Sequence, residues 1–176
     1  MSKYGISNNK SFKRNARDFY PTPYEAVLPL LPYLNKGTIF TEPCAGDYRL
    51  SEHLIKHNHV CENAFDIEPQ DSRVICKNAL DIKQAKMFIT NPPFYSGILY
   101  PMIDHLRSIA PTWLLLPSDK AYNKTFGQFM NYCSNMIAVG RVRWIEGSKM
   151  ASTDNFAWYK FENNKTKTTF NARGEQ

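Results

Sequence analysis

One apolar strand of the sequence ends in residues that could bind a planar amine. The stretch "FITNPPFYSG", residues 88–97, places Asn91 and two prolines directly after that strand. Proline lacks a backbone N–H and holds the residue before it extended, so Pro92 and Pro93 end the strand in a corner rich in carbonyl acceptors. The Asn91 side-chain oxygen and a backbone carbonyl could accept from an NH₂ group, while the Phe94 ring stacks on its plane. This chemistry suits a planar ligand with an exocyclic amine.

Three other strand ends carry residues that suit a nucleotide-like ligand. After the first strand, "EPCAGD" places the small Ala45 and Gly46 where the backbone could approach a ligand, but one glycine does not make a dinucleotide-binding fingerprint. Asp66 follows the second strand, 20 residues beyond Gly46. That position fits either an acid that binds a ribose or an acid that closes a turn. Asp81, in "NALD", stands in the loop after the third strand.

The elements that must position these residues are apolar strands alternating with helices. Strands are predicted at 37–43, 62–67, 74–76, 86–90, 112–117, 136–145 and 155–161, and helices at 22–34, 49–57, 96–110 and 126–133. The alternation is typical of parallel βαβ units with helices on both faces, and the last two strands, with no helix between them, predict an antiparallel edge. Ligands of such sheets bind beyond the carboxyl ends of the strands, where the residues above fall.

The composition indicates a single cytosolic domain. The 176 residues are 43% hydrophobic, which excludes a disordered chain, and no apolar run reaches the length of a membrane span. The N-terminal residues lack the apolar segment of a secretory signal. Four widely spaced cysteines predict reduced, mostly buried thiols. His53 and His57 lie four residues apart without an HExxH motif, which favours a solvated helix face over a metal site.

The net charge of +6 is concentrated in two segments of the chain. Residues 1–17 are predicted to form a flexible basic arm, and residues 120–149 form a second basic segment. Both suit a nucleic-acid backbone, although charge alone fits a solubilising surface equally well. The candidate contacts to nucleic acid are Lys13, Arg14, Arg17, Lys120, Arg141 and Arg143.

Taken together, the motifs resemble those of one enzyme family. The segment "DFYPTP", followed by "EPCAGD", "DIEP", "NALD" and "TNPPF" after strands one to four, is similar to the amino-group methyltransferases that use S-adenosylmethionine. The motif order resembles the gamma arrangement of DNA adenine-N6 methyltransferases, and "WLLLP", "GRVRW" and "DNFAWYKF" resemble small phage-type members. The resemblance covers Asp18 to Phe161. It implies a Rossmann-like methyltransferase fold of the α/β class, with a mostly parallel twisted sheet, helices on both faces and an antiparallel edge.

The resemblance also implies roles for the residues that match its motifs. S-adenosylmethionine is the implied cofactor, with Asp66 at its ribose hydroxyls and Asp81 at its adenine amine, and no metal is implied. Trp144 would cap the second face of the target base. The implied catalytic corner comprises Asn91, Pro92, Pro93 and Phe94. The remaining implied cofactor contacts are Tyr20, Thr22, Glu42, Pro43, Ala45, Gly46, Ile67 and Asn91.

The resemblance divides the chain into the basic arm 1–17, one catalytic domain at 18–162 and a polar tail at 163–176, without a separate target-recognition domain. It implies methylation of the N6 amino group of adenine in DNA, in the cytoplasm of a bacterial or phage-infected cell. Nucleic acid is the expected partner, with DNA favoured over RNA and no membrane involved.

Two alternatives stay open. An RNA base amino-group methyltransferase with a single-stranded substrate would explain the missing recognition domain. A non-catalytic module that binds nucleic acid or the cofactor is the other. It is kept open because Asp47 and Tyr48 stand where relatives commonly carry a second glycine.

Overall fold

The protein is built around one mixed β-sheet. The computed structural model describes residues 20–145, 147–148 and 150–174. The strands in this part of the chain are β1 Ile39–Glu42, β2 Val60–Asp66, β3 Ile75–Cys76, β4 Phe88–Thr90, β5 Thr112–Pro117, β6 Cys133–Arg141, β7 Asn155–Phe161 and β8 Thr169–Asn171. The helices are α1 Tyr24–Val27, α2 Arg49–Lys56, α3 Ser96–Ile109 and α4 Gly127–Met130, joined by 3₁₀ turns at Leu28–Tyr33, Ala79–Asp81 and Ser118–Tyr122.

The strands lie in the order β3-β2-β1-β4-β5-β7-β6-β8. Strands β3, β2, β1, β4 and β5 are parallel, whereas β7 runs antiparallel to both of its neighbours, β5 and β6. The chain moves outward from β1 to β3 and then returns to β4 on the other side of β1. The order therefore reverses between β1 and β4, and such a reversal opens a crevice at the carboxyl ends of the two strands.

Alternating side chains of the central strands fill one hydrophobic core on each face of the sheet. Trp113 and Leu115 of β5 point to the face covered by α1 and α2, whereas Leu114 and Leu116 point to the face covered by α3 and α4. Full burial of each such side chain contributes about 1.5–3 kcal/mol. Both faces are covered, so the continuous apolar run of β5 is explained, and the predicted α/β fold with its antiparallel edge is confirmed.

Several elements are shorter than predicted or differ in type. The helix expected at 22–34 is only α1 followed by a 3₁₀ turn, because Pro29 and Pro32 cannot donate the hydrogen bonds of an α-helix interior. The helix expected at 126–133 is reduced to α4, and β6 begins at Cys133. Within the predicted polar tail 163–176, Thr169–Asn171 forms β8 and pairs in parallel with β6.

The four cysteines are all free, as expected, but they are less buried than predicted. Only Cys133 is buried, Cys44 and Cys61 are partly exposed, and Cys76 is exposed. No helix in the described ranges is long and apolar enough to cross a membrane.

One buried hydrogen bond joins the last long strand to the first helix. The indole Nε1 of Trp158, in β7, donates to the carbonyl of Ala26, in α1, over 2.8 Å. Both residues are fully buried. Because the segment that precedes α1 carries Tyr20 and Thr22, this bond anchors the part of the chain that leads into the site described next.

Candidate active site

A cleft of about 500 Å³ opens at the carboxyl ends of β1, β2 and β4, where the strand order reverses. Nine of the residues that the sequence places at a site line it: Tyr20, Thr22, Glu42, Pro43, Ala45, Asp66, Ile67, Asn91 and Pro93. The remaining lining residues are Pro21, Cys44, Asp47, Leu50, Glu68, Gln70, Asn78, Ala79, Leu80, Tyr95, Gly97, Ile98, Pro101 and Met102.

Four of the residues predicted for catalysis or cofactor binding do not line the cleft: Gly46, Asp81, Pro92 and Phe94. Asp81 is exposed at the end of its 3₁₀ turn, and Asn78, which begins that turn, faces the cleft instead. Gly46 and Pro92 are buried behind the lining residues. Phe94 packs into both hydrophobic cores.

Asp66 organises the loop after β1. Its Oδ2 accepts a hydrogen bond from the Gly46 backbone N–H at 2.9 Å, and its Oδ1 accepts one from the Glu68 N–H at 2.8 Å. Gly46 has φ +49°, a left-handed conformation in which glycine carries no penalty. Each carboxylate oxygen keeps a lone pair for a ligand. Asp66 therefore both closes a turn and lines the cleft, so the two interpretations of its spacing are compatible.

Tyr48 occupies a left-handed backbone position, with φ +67°, at the start of α2. Glycine is the residue that adopts this conformation without strain. The tyrosine ring is covered instead by the Arg73 guanidinium, 4.2 Å from the ring centroid, and Asp71 and Glu52 hold that guanidinium in place. Packing of Arg73 on the ring thus offsets the left-handed strain at Tyr48.

Replacing Tyr48 by glycine should therefore be less destabilising than replacing it by alanine. Both variants lose the packing of Arg73 on the ring, but only alanine retains the left-handed strain, so the alanine variant should unfold about 1 kcal/mol more easily. Urea unfolding of both variants measures the difference. Equal stabilities would contradict the claim that Tyr48 is strained.

The cleft is acidic although the protein is basic. Four acidic residues line it, Glu42, Asp47, Asp66 and Glu68. None of the described lining residues is Lys, Arg or His. Glu42 is only 1% exposed and accepts a hydrogen bond of 2.5 Å from the Ser51 hydroxyl. Burial raises its pKa well above the ordinary value for a glutamate. The cleft therefore favours a cationic ligand and disfavours a dinucleotide or triphosphate.

The Asn91 side chain presents an unsatisfied acceptor. Its Nδ2 donates to the Tyr20 carbonyl at 3.3 Å and to the Thr22 hydroxyl at 3.2 Å. A carbonyl can only accept, so the contact with Tyr20 fixes which end of the amide is nitrogen. The opposite atom, Oδ1, is buried and has no hydrogen-bond partner among the described residues. An unsatisfied buried group costs about 1–3 kcal/mol, so a donor that reached Oδ1 through an opening of the surrounding corner would bind favourably.

The aromatic residues expected to stack on a target base meet at Phe156. Phe94 lies 5.8 Å from this ring and Trp144 lies 4.9 Å from it, centroid to centroid, and Tyr20 lies 6.1 Å from Trp144. Phe156 is buried at the start of β7. The structure thus brings Phe94 and Trp144 to one aromatic cluster beside the Asn91 corner.

The basic residues predicted to contact nucleic acid differ in the hydrogen bonds and ion pairs that they form within the protein. Lys120 donates from Nζ to the Phe94 carbonyl at 3.1 Å, and therefore secures the proline corner. Arg143 pairs with Glu25 at 3.2 Å, whereas Arg141 is exposed. The predicted contacts in the N-terminal arm, Lys13, Arg14 and Arg17, lie outside the described residues.

Asn78 is the clearest site residue that the sequence interpretation missed. Its Oδ1 accepts from the Leu80 N–H at 3.0 Å, which leaves its NH₂ group as a donor at the cleft. The sequence does carry a signal for this residue, because an asparagine side chain often accepts a hydrogen bond from the backbone N–H two residues later and so starts a turn. The family resemblance instead assigns the cofactor contact to Asp81, the carboxylate of the same motif.

His53 and His57 pack beneath Tyr24 rather than forming a solvated face. Tyr24 lies 5.3 Å from the His53 ring and stacks on His57 at 5.7 Å, with its hydroxyl 2.8 Å from His57 Nε2. Burial and the nearby Lys56 lower the pKa of His53, and burial lowers that of His59. No cluster of metal-ligating side chains occurs among the described residues.

Lowering the pH from 7.5 to 5.5 should destabilise the protein through His53 and His59. Their folded-state pKa values lie below the ordinary 6.5, so the unfolded chain binds more protons and stability is lost as the pH falls through this range. Glu42 acts with the opposite sign, because its raised pKa makes folding less favourable as the pH rises.

The comparison of variants isolates the histidine contribution. Urea unfolding of His53→Gln and of the wild type at both pH values should show a larger loss of stability for the wild type on acidification. If both proteins lost the same stability on acidification, His53 would not contribute to the pH dependence of folding.

No protein-family profile and no curated protein sequence matches the chain. Solved structures match its fold. A protein from Pyrococcus horikoshii, provisionally assigned as an RNA methyltransferase, has a TM-score of 0.59 and 13% identity over 84% of this chain and 88% of its own. A dimethyladenosine transferase from Plasmodium falciparum has a TM-score of 0.53 and 11% identity over 82% and 62%.

A larger neighbour shares the same architecture. The methyltransferase subunit of a type I restriction-modification system from Streptococcus thermophilus has a TM-score of 0.56 and 9% identity over 89% of this chain. This chain spans 49% of that subunit. Identities this low establish the fold alone, and the fold they establish is that of the methyltransferases.

Proposed function

We propose that the protein is an S-adenosylmethionine-dependent methyltransferase that acts on the N6 amino group of adenine in DNA. The observation that carries this proposal is Asn91, whose amide is fixed by Tyr20 and Thr22 so that a buried, unsatisfied oxygen stands at the end of β4. An acceptor in this position suits the exocyclic NH₂ of a base.

The cleft residues suit the cofactor. S-adenosylmethionine carries a sulfonium and an ammonium group, and the carboxylate of Asp47 complements a ligand of positive charge. Asp66 would bind the ribose hydroxyls through its free lone pairs. Asn78, in place of Asp81, would direct its NH₂ donor toward the adenine ring. A cation near Glu42 would favour ionisation of this carboxyl and so release its proton on binding.

The proposed mechanism relies on positioning rather than on acid–base chemistry. The lone pair of an aromatic amine is shared with the ring, so the nitrogen is a poor nucleophile until its N–H groups are engaged. Asn91 Oδ1 and a backbone carbonyl of the proline corner would accept those hydrogens and orient the nitrogen for in-line attack. The cofactor supplies an activated methyl group: the N–CH₃ bond forms as the S–CH₃ bond breaks, and the amine then loses a proton to solvent.

Methyl transfer from labelled S-adenosylmethionine to DNA and RNA, followed by mass spectrometry of the nucleosides, tests the proposal. N6-methyladenine in DNA is the expected product. A different methylated base would correct the substrate. Absence of transfer together with absence of cofactor binding would favour the non-catalytic module.

Methylation of an amino group on an RNA base is the second candidate. The neighbour from Pyrococcus horikoshii, which is provisionally assigned to RNA, is matched over 88% of its length, whereas the restriction-modification subunit is twice as long as the matched region. A domain of this size is thus found in a protein assigned to RNA. The same labelled-cofactor experiment separates the two candidates.

A further inference from the structure

Tyr122 is an aromatic side chain that the fold presents to solvent beside the proposed target site. It ends the 3₁₀ turn Ser118–Tyr122, which follows β5 and lies next to the corner at the end of β4. The residue is 87% exposed, more than any other large hydrophobic residue described in the chain. No ring stack involving Tyr122 occurs within the described part of the protein.

The turn that carries Tyr122 is held rigidly at three points. The buried Tyr159 donates its hydroxyl proton to the Ser118 carbonyl at 2.9 Å. Lys120 Nζ donates to the Phe94 carbonyl at 3.1 Å. Ala121 packs on the hydrophobic core of that face. The exposure of Tyr122 is therefore imposed by the fold, and Lys120, two residues before Tyr122, ties this turn to the corner.

The charges around the ring suit a nucleotide. Lys124 is exposed two residues beyond Tyr122, and Lys120 lies two residues before it, while Asp119 supplies one opposing charge. An aromatic ring bordered by lysines offers a stacking surface for a base and cations for its phosphate. Because every base has a π face, such a platform reads no sequence.

We infer that Tyr122 is the stacking platform for the nucleotide next to the target base, and that the protein prefers a single strand. The inference rests on the proposed function, because it takes nucleic acid as the substrate. In a duplex, the neighbouring base stays paired inside the helix even when the target base has flipped out, so it cannot turn toward a ring on the protein surface. In a single strand, it stacks on Tyr122 while Lys124 meets the phosphate.

Binding of short fluorescent strands, measured by anisotropy, tests the inference. The probes are a DNA strand and an RNA strand with one adenine in a pyrimidine run, the corresponding duplexes, and strands with an abasic site on either side of the adenine. Tyr122→Ala should weaken binding of the intact strands about 5-fold or more, the scale of one lost base–aromatic stack. Tyr122→Phe should bind as the wild type does. Tyr33→Ala removes a tyrosine that lies away from the cleft, so it serves as the matched control.

The abasic strands identify the stacked base. With the abasic site on the side that contacts Tyr122, the wild type should bind as weakly as Tyr122→Ala, and the substitution should have no further effect. Equal affinities of wild type and Tyr122→Ala for intact strands would overturn the inference. The inference would also be overturned if Tyr122→Ala lost the same affinity for the intact strand and for both abasic strands. Tighter binding of the duplexes by the wild type, or no binding of any strand by the wild type, would overturn it as well.

The result is independent of catalysis. If labelled S-adenosylmethionine gives no methyl transfer while the Tyr122 dependence on single strands persists, the proposed reaction fails and the platform stands. If transfer occurs and Tyr122 has no effect on binding, the reaction stands and the platform fails. Comparison of the DNA and RNA strands shows which backbone the platform serves.

Discussion

Replacing Asn91 by alanine should lower the rate constant of methyl transfer by about 100-fold or more, the scale on which a preorganised polar group contributes to catalysis. The substitution removes the one amide oxygen that is buried without a partner at the end of β4. Affinity for the cofactor should fall much less than the rate, because Oδ1 is assigned to the target amine and only the Nδ2 bonds to Tyr20 and Thr22 connect Asn91 to the implied cofactor contacts. Single-turnover transfer from labelled S-adenosylmethionine, with calorimetry of cofactor binding, measures both quantities.

Two controls separate the acceptor from the fold around it. Thr22→Val removes one hydrogen-bond partner of the amide nitrogen but leaves Oδ1 in place, so its effect on the rate should be much smaller. Asn164→Ala changes an exposed asparagine between β7 and β8 and should have no effect. A wild-type rate for Asn91→Ala would refute the acceptor role of Asn91.

Replacing Asp66 by alanine should weaken S-adenosylmethionine binding by about 1–3 kcal/mol, or about 5- to 150-fold, the scale of a hydrogen bond to a charged group. Asp66 also accepts the backbone N–H groups of Gly46 and Glu68, so part of the loss will come from a loosened loop. Calorimetric titration with the cofactor gives the affinity, and urea unfolding of the same variant gives the loss of stability.

The isosteric Asp66→Asn variant separates the contributions of charge and shape. It keeps one acceptor oxygen and the size of the side chain, so it should unfold closer to the wild type and still bind the cofactor weakly. Asp104→Ala, which removes an exposed acid paired with Arg107 on α3, should bind normally. Unchanged affinity in both Asp66 variants would show that the ribose contact lies elsewhere.

The elements of the fold that the sequence predicts are those with a clear pattern of apolar residues. The strands β1, β4 and β5 are short apolar runs bounded by proline or turn residues, and α2 and α3 have helical spacing, so all five were expected near their observed positions. Strand β8 has no such pattern. Its residues are mostly exposed at the sheet edge, and it forms through pairing with β6, more than 30 residues earlier, which local sequence does not encode.

The candidate site is predicted less completely because loop conformation decides which side chain faces the cleft. Asp66 follows directly from its strand end and does line the cleft. Asp81 lies only three residues beyond Asn78 and both are exposed, yet only Asn78 lines the cleft. Phe94 stays a predicted contact of the target base, and its ring packs on Phe156, a contact that the sequence did not indicate. Whether a side chain faces the cleft or packs on another ring depends on contacts between distant segments of the chain. Spacing along the sequence cannot predict which of these contacts forms.

The bond from Trp158 to Ala26 has a consequence for synthesis of the chain on the ribosome. Translation proceeds from the N-terminus at about 5–20 residues per second, so α1 emerges long before the strand that anchors it. β7 also inserts between β5 and β6, so those two strands have no shared partner until residue 161 has been made. A nascent chain that ends before β7 therefore has all the acidic residues of the cleft, but the segment that carries Tyr20 and Thr22 is not yet anchored beside them. We therefore expect the cleft to become competent to bind a ligand only when the C-terminal strands have joined the sheet.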